Sequence, residues 1–498
     1  MPFDREHRPI SLVSSSAGAP SAAPSVRASG NARLAGQSSA SGPALFPRER
    51  LAAVFFLSAV FLIYASVWRG APFVEPDTPT YQQLAEDIKH GSSTQLSLRT
   101  PGLPLVLLLT GSETTPTRSF YLLSLAMHLS SIGMLALLLR YFRISVWATA
   151  LFMVLAELPP FVEPAAYALS ETLSEFLVVL TVASLAAWLI TQRSSLMVAF
   201  GLAATGAAFT RPTFQALTAI LWVCVFACYW LGYLRQISLR TLLVWAAATM
   251  LLSFGAQGAY ALFNYEKFGY LGMSSYPPYG LSTKVEGVLE SIPPRDADVR
   301  DILVRHRDRL LVDPNYDHTG QDYIYRAMPD LVGYYGGDRM RALRKIQELS
   351  LYLIKARPMS YLNECVKAAA VYWMPTDGPL SGAGSNARRG IWALTEFAII
   401  GLFFLQTMVL AGHAVFHLPA YWAGHGVAHL ADGFGNGLLI SVYVAGSAVI
   451  WSTMAVSCLL AIGLPRYRIP TDLLIMAVTV LGFEIWKNNL RGVTRPNR

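Results

Sequence analysis

The sequence predicts an all-α polytopic membrane protein, and three of its features do so. Apolar residues fill 53% of the 498 positions while charged residues fill only 14%, against roughly 25% charged in a soluble domain. The apolar residues gather in runs close to the ~20 that a membrane-crossing helix needs. Lys and Arg fall between those runs instead of in a patch. The net charge of +8 therefore reads as loop charge, not as a nucleic-acid footprint. The same balance excludes a soluble globular enzyme, a disordered chain and a coiled coil. The four cysteines make no disulfide framework and no redox or zinc pattern. Cys224, Cys228 and Cys458 sit inside apolar runs, and Cys365 has no neighbour in sequence.

Taken in order, residues 1–46 are rich in Ser, Ala, Pro, Gly and Arg. They bury too little to offset their ordering entropy, and read as a disordered cytoplasmic tail. About ten spans follow, at 51–68, 117–139, 145–161, 167–190, 196–210, 213–232, 241–263, 391–412, 438–463 and 470–487. They divide into an N-terminal transmembrane module, 47–263, a polar loop, 264–390, and C-terminal helices, 391–498. Loop cations set the orientation. Arg140 and Arg143, Arg193, Arg235 and Arg240, and the C-terminal Lys487, Arg491, Arg495 and Arg498 fall on one side, taken as cytoplasmic. Loops 69–116, 161–166, the turn at 211, 264–390 and 464–469 then face outward. Loop 413–437 departs from this pattern: it carries His413, His417, His425 and His429 but no Lys or Arg. Within 264–390, residues 339–373 show helical apolar spacing with interleaved Arg and Lys, which predicts an amphipathic helix on the membrane surface. The block is too short and too mixed for a separate enzyme fold. The chain has no GxxxxGK[ST], no strand-framed GxGxxG and no HExxH, so nucleotide-driven transport and zinc proteolysis lack their usual parts.

The first outer loop, 69–116, is the most informative stretch. It reads Glu75-Pro-Asp77-Thr-Pro-Thr-Tyr81-Gln-Gln-Leu-Ala85, then Leu98-Arg99-Thr-Pro101-Gly102-Leu-Pro104-Leu. Two carboxylates stand close to the bilayer surface, a short helix runs from about Pro79 to His90, and Arg99 precedes an apolar stretch, 103–109, too short to span. Arg211, Arg466 and Arg468 also fall at outward span ends, and Glu171 lies a turn inside an apolar span. Plainer readings stand beside these. Asp77 and Thr78 precede Pro79 as helix caps do. Glu75 can be a solvated loop charge, and arginines at span ends snorkel to head groups.

The pattern Asp-x-x-x-Tyr-x-x-Leu-Ala followed by Arg-x-Pro-Gly-x-Pro-Leu resembles the first outer loop of the GT-C glycosyltransferases. Within them it is most similar to the bacterial branch related to protein O-mannosyltransferases and lipid A aminoarabinose transferases. The resemblance continues in order at Tyr167-Ala-Leu-Ser-Glu171, at Thr210-Arg211-Pro212, at Ala356-Arg357-Pro358-Met-Ser-Tyr361 and at Pro465-Arg466-Tyr467-Arg468-Ile-Pro470, so it touches residues 51–487. It departs at Glu75-Pro76-Asp77, where the mannosyltransferases of proteins carry two adjacent acids; that puts a protein acceptor in doubt.

The resemblance implies a GT-C-type bundle with interfacial helices on the outer face, in the bacterial cytoplasmic (inner) membrane. It implies inverting transfer of a hexosyl or pentosyl group from a polyprenyl-phosphate donor to a hydroxyl of a lipid, glycan or protein acceptor. Asp77 is the expected catalytic base. Arg99, Arg211, Arg466 and Arg468, with Glu75, Tyr81 and Glu171, are the expected donor-phosphate or acceptor contacts. Some relatives use a divalent metal; no ligand set for one stands out, whether among the loop 413–437 histidines or at His318 with Asp313, Asp317 and Asp322. The chemistry agrees with the residues. A lipid phosphate leaves without being protonated, so one carboxylate suffices to take the acceptor proton, and guanidinium groups suit the charge that grows on the phosphate. The alternative is a transporter or flippase of a lipid-linked sugar. Against it stand the absence of paired half-helix repeats and the gathering of polar groups on one face.

Overall fold

The computed structural model describes residues 72–92, 96–313, 322–375, 386–422 and 437–493, with Phe56. The predicted tail 1–46, nearly all of the predicted span 51–68, the stretch 423–436 and the pair Asp317–His318 lie outside the described residues. The described chain is helical. Its one isolated bridge joins Phe73 to Tyr167 in parallel and ties the first loop to the segment that enters the helix starting at Glu171.

Two helices belong to the first loop, α1 (Thr78–His90) and α2 (Gly102–Leu109). Six follow: α3 (Arg118–Tyr141), α4 (Val146–Ala156), α5 (Glu171–Thr191), α6 (Ser194–Thr210), α7 (Leu217–Trp230) and α8 (Leu239–Phe268). The polar block contributes α9 (Tyr276–Thr283), α10 (Ala297–Leu311), α11 (Asp322–Tyr334), α12 (Arg339–Ala356) and α13 (Pro358–Tyr372). The chain ends with α14 (Asn386–Trp422), α15 (Gly437–Leu460) and α16 (Ile469–Val493).

Among the described residues seven helices are long and apolar enough to cross a membrane: α3, α5, α7 with its preceding turn, α8, α14, α15 and α16. The protein is thus a multi-pass helical membrane protein. Helices suit lipid because they satisfy every backbone N–H and C=O internally. The side chains of Thr117, Ser145 and Ser238 accept N–H bonds at the starts of α3, α4 and α8, which completes those ends.

Two of the predicted spans take a different form. The predicted span 145–161 is a bent pair: α4 and the turn Pro159–Ala166 meet at 64°. Pro159, Pro160 and Pro164 deny the backbone the donors a straight helix needs. The predicted span 196–210 is α6, a helix of 17 residues. It stops at Thr210 because Arg211 precedes Pro212, which pushes Arg211 into extended backbone (φ −141°, ψ 127°). The membrane core runs through α3, α5, α6, α7, α15 and α16, with Trp188 and Trp222 fully buried at its centre.

The polar block packs an apolar core of its own, from Tyr279 and Val285 to Leu343, Ile346 and Leu353. That corrects two expectations. The predicted amphipathic helix 339–373 breaks at Arg357, before Pro358, into α12 and α13. The apolar face of α12 (Ala342, Leu343, Ile346, Leu349) is buried against the block and not left for lipid. The face left uncovered is on α13, at Met359, Leu362 and Val366.

Candidate active site

Pro79 fixes the start of α1 and makes Asp77 its N-cap by position, yet the Asp77 side chain makes no capping bond. Its carboxylate is held elsewhere. Oδ1 lies 2.6 Å from Arg99 Nη2, and Oδ2 accepts a bond from Arg466 Nη2 at 2.7 Å. Arg99 is itself fixed. Its Nε donates to Thr80 Oγ1 at 2.8 Å, and its guanidinium lies 4.7 Å from the centre of the Tyr81 ring. The Tyr81 hydroxyl donates to Ser170 Oγ at 3.1 Å. Burial pushes the Asp77 carboxyl up, but Arg99 and Arg466 together overcome it and hold it below the usual carboxylate value. Glu75 moves the other way: burial raises it, Arg466 pulls it down, and Asp77 and Glu171 add to the rise.

Asp77, Arg99 and Arg466 line a cavity of about 170 Å³ at one end of the bundle. The start of α5, the end of α6, the end of α15 and the turn Pro465–Tyr467 before α16 all reach it. Glu171 and Arg211 face each other across it at 3.4 Å. The Tyr467 ring stands beside two guanidiniums, 5.4 Å from that of Arg211 and 5.7 Å from that of Arg466. Leu169, Pro212, Val456, Leu460 and Ala461 add apolar surface to the cavity lining. Three guanidiniums and two carboxylates line the cavity, which leaves one positive charge in excess. Arg211 Nη1 and Arg466 Nε are buried donors without a hydrogen-bond partner. Such donors are costly unless a ligand meets them, and their chemistry asks for an anion.

The cavity brings together six of the predicted residues: Asp77, Tyr81, Arg99, Glu171, Arg211 and Arg466. Glu75 does not line it. Arg468 is a correction. It is 1% exposed, and every nitrogen is engaged within the protein. Nε donates to Asp472 Oδ1 and Nη2 to Glu396 Oε2, both at 2.7 Å. Nη1 donates to the carbonyls of Tyr372, at 3.1 Å, and Met374, at 2.7 Å. Two positions along a 3₁₀ turn such as Pro465–Tyr467 rotate a side chain by roughly 240°. With Arg466 in the cavity, Arg468 therefore points into the bundle. Sequence reasoning missed Tyr276 and Tyr467, which line the cavity with their hydroxyls 3.4 Å apart. They pass for aromatic-belt residues; the signal that separates Tyr467 from a belt residue is its place between two arginines.

No group of three or more His, Cys, Asp or Glu is arranged to hold a metal ion among the described residues. Both Asp77 oxygens are taken by arginines, and three guanidiniums repel a divalent cation. The donor set does not fit one.

No family model and no curated protein matches the chain. Two solved structures are similar to it, each at 14% identity over 87% of this chain and 77% of the other. They are ArnT from Cupriavidus metallidurans bound to undecaprenyl phosphate, with TM-score 0.34, and the same protein in the apo state, with TM-score 0.33. Similarity at that level leaves the chemistry to be read from this chain's own side chains. Those side chains define a multi-pass membrane protein whose helix ends enclose an acid clamped by arginines.

Proposed function

We propose that the protein is an inverting glycosyltransferase. It takes a sugar from a polyprenyl-phosphate donor and passes it to a hydroxyl of a lipid, glycan or protein acceptor, on the outer face of the bacterial cytoplasmic membrane. The observation that carries this reading is the clamp: Asp77 between Arg99 and Arg466, in a cavity lined by both guanidinium groups and apolar side chains. A sugar phosphodiester carries one negative charge, which the excess positive charge matches. Its prenyl chain suits the apolar side chains.

The reaction is a single displacement. The acceptor oxygen attacks the anomeric carbon, its proton passes to Asp77, and the bond from that carbon to the phosphate oxygen breaks with its electron pair left on the phosphate. Two charge changes then help each other. Asp77 becomes neutral and releases its hold on Arg99 and Arg466 as the departing phosphate becomes a monoester and gains charge. Fixed cations at that point act on the transition state more than on the bound donor. Arg211 and its unpartnered Nη1 supply a third contact. With no second nucleophilic carboxylate assigned, the stereochemical outcome is inversion.

The test is Asp77→Asn in nanodiscs with radiolabelled polyprenyl-phosphate sugar. Transfer is expected to fall by about 10²–10⁴-fold while donor binding persists; transfer near the wild-type rate overturns the role of Asp77. A transporter would instead carry label across the bilayer without making a new glycoside.

A further inference from the structure

The cavity has a rim that the transferase reading leaves without a task. Tyr276, which lines the cavity, opens α9, and Tyr279 follows it one turn later on the same side of that helix. The Tyr279 ring is buried, and Tyr325 of α11 stacks on it at 4.8 Å between centroids with 20° between planes. One face of Tyr325 is thus backed by a second ring, while the residue remains 37% exposed. The start of α11 is anchored: Tyr323 is fully buried, and its hydroxyl donates to the carbonyl of Ser282 at the end of α9, at 2.8 Å. Burial, against the pull of Arg99, holds the Tyr325 phenol above its ordinary value. Tyr467 and Asp77 act on it too, so its hydroxyl end stays neutral and close to the acid clamp.

A ring backed on one side and partly exposed suits one class of ligand well. The axial C–H bonds of a pyranose form an apolar face that lies flat on an aromatic ring, and the ring's polar tip can meet a sugar hydroxyl. The position agrees. Tyr325 rises from the polar block and stacks on α9, the helix that brings Tyr276 to the cavity. From the transferase reading and this geometry we infer that the acceptor is a glycan, one of whose pyranose rings stacks on Tyr325 and so presents its hydroxyl to Asp77.

The test is saturation-transfer NMR on the full chain in nanodiscs. The probes are the methyl pyranosides of glucose, galactose, mannose and N-acetylglucosamine, with glycerol and a threonine tripeptide as the lipid-like and protein-like alternatives. Polyprenyl phosphate binding is measured on the same samples. At least one pyranoside should receive saturation on its ring C–H protons, and neither alternative should. Tyr325→Ala should weaken that signal at least fivefold, whereas Tyr325→Phe and Tyr325→Trp, which keep an aromatic face, should retain it. Equal signals in wild type and Tyr325→Ala overturn the inference, as does a loss in Tyr325→Phe as large as in Tyr325→Ala. A response to the tripeptide or glycerol but to no pyranoside also overturns it. If pyranosides fail while polyprenyl phosphate binds, the stacking site falls and the transferase reading stands. If polyprenyl phosphate does not bind to the wild type, the transferase reading falls and takes the acceptor with it.

Discussion

Asp77 shows what a single residue's surroundings decide. From sequence it is equally a helix cap or a base, since capping and catalysis use the same side chain in the same kind of loop. The structure turns its carboxylate away from the helix and onto two arginines. Because those arginines lower its pKa, the acid limb of kcat/KM should lie below the ordinary carboxylate value, and a limb above pH 5 in a pH–rate profile would count against Asp77 as the base. Arg468 was legible as an outward arginine but not as a buried one, because nothing in Arg-Tyr-Arg says which guanidinium turns inward. Glu286 offers a second test. Burial raises its pKa to about 7, against the pull of Arg307 and with help from Glu364. The folded protein thus holds this proton more tightly than the unfolded chain, whose value is near 4.5. The stability it permits is complete below pH 4.5 and declines as pH rises through 7. Glu286→Gln should raise the thermal midpoint at pH 8 and leave it unchanged at pH 4.5, in a melt followed by circular dichroism.

At the scale of elements, hydropathy located the long helices, because a span of ~20 apolar residues leaves little freedom, but not all their ends: α14 runs on to Trp422 and α16 to Val493, beyond the predicted 412 and 487. Breaks were harder to read. The bend after α4 and the division of α12 from α13 come from prolines, whose effect on direction depends on what the next segment packs against. The direction of the α12 apolar face was illegible for the same reason: spacing shows that a face exists, not whether lipid or protein covers it. Contacts between elements can be tested through glycine. A Cβ on Gly280 of α9 would collide with the Leu460 carbonyl oxygen at the end of α15. Gly280→Ala should therefore displace α9, cost ~1–3 kcal/mol as overpacking does, and weaken polyprenyl phosphate binding by moving Tyr276. A variant with wild-type melting and binding would show that the approach is not so close.

Across the whole molecule, the buried Arg468–Glu396–Asp472 group joins α14, the end of α13 and α16. Removing the cation alone leaves two carboxylates buried together. Arg468→Met should cost about 3–5 kcal/mol, and the triple change Arg468→Met, Glu396→Gln, Asp472→Asn should recover most of it, because a neutral site avoids the desolvation that the pairing offsets. Melting of the two proteins side by side decides this. Orientation has its own measurement. With the cavity facing outward, Thr114→Cys should react with an impermeant maleimide on intact cells, and Arg143→Cys only after permeabilisation. The reverse pattern would place the clamp in the cytoplasm.

The ion pair between Asp77 and Arg466 joins positions 389 residues apart. A ribosome must add all of the residues between them before the acid meets its second arginine. A form that stops before Arg466 therefore lacks the complete clamp. Two separately expressed halves, one carrying Asp77 and one carrying Arg466, should therefore restore the clamp only when they assemble.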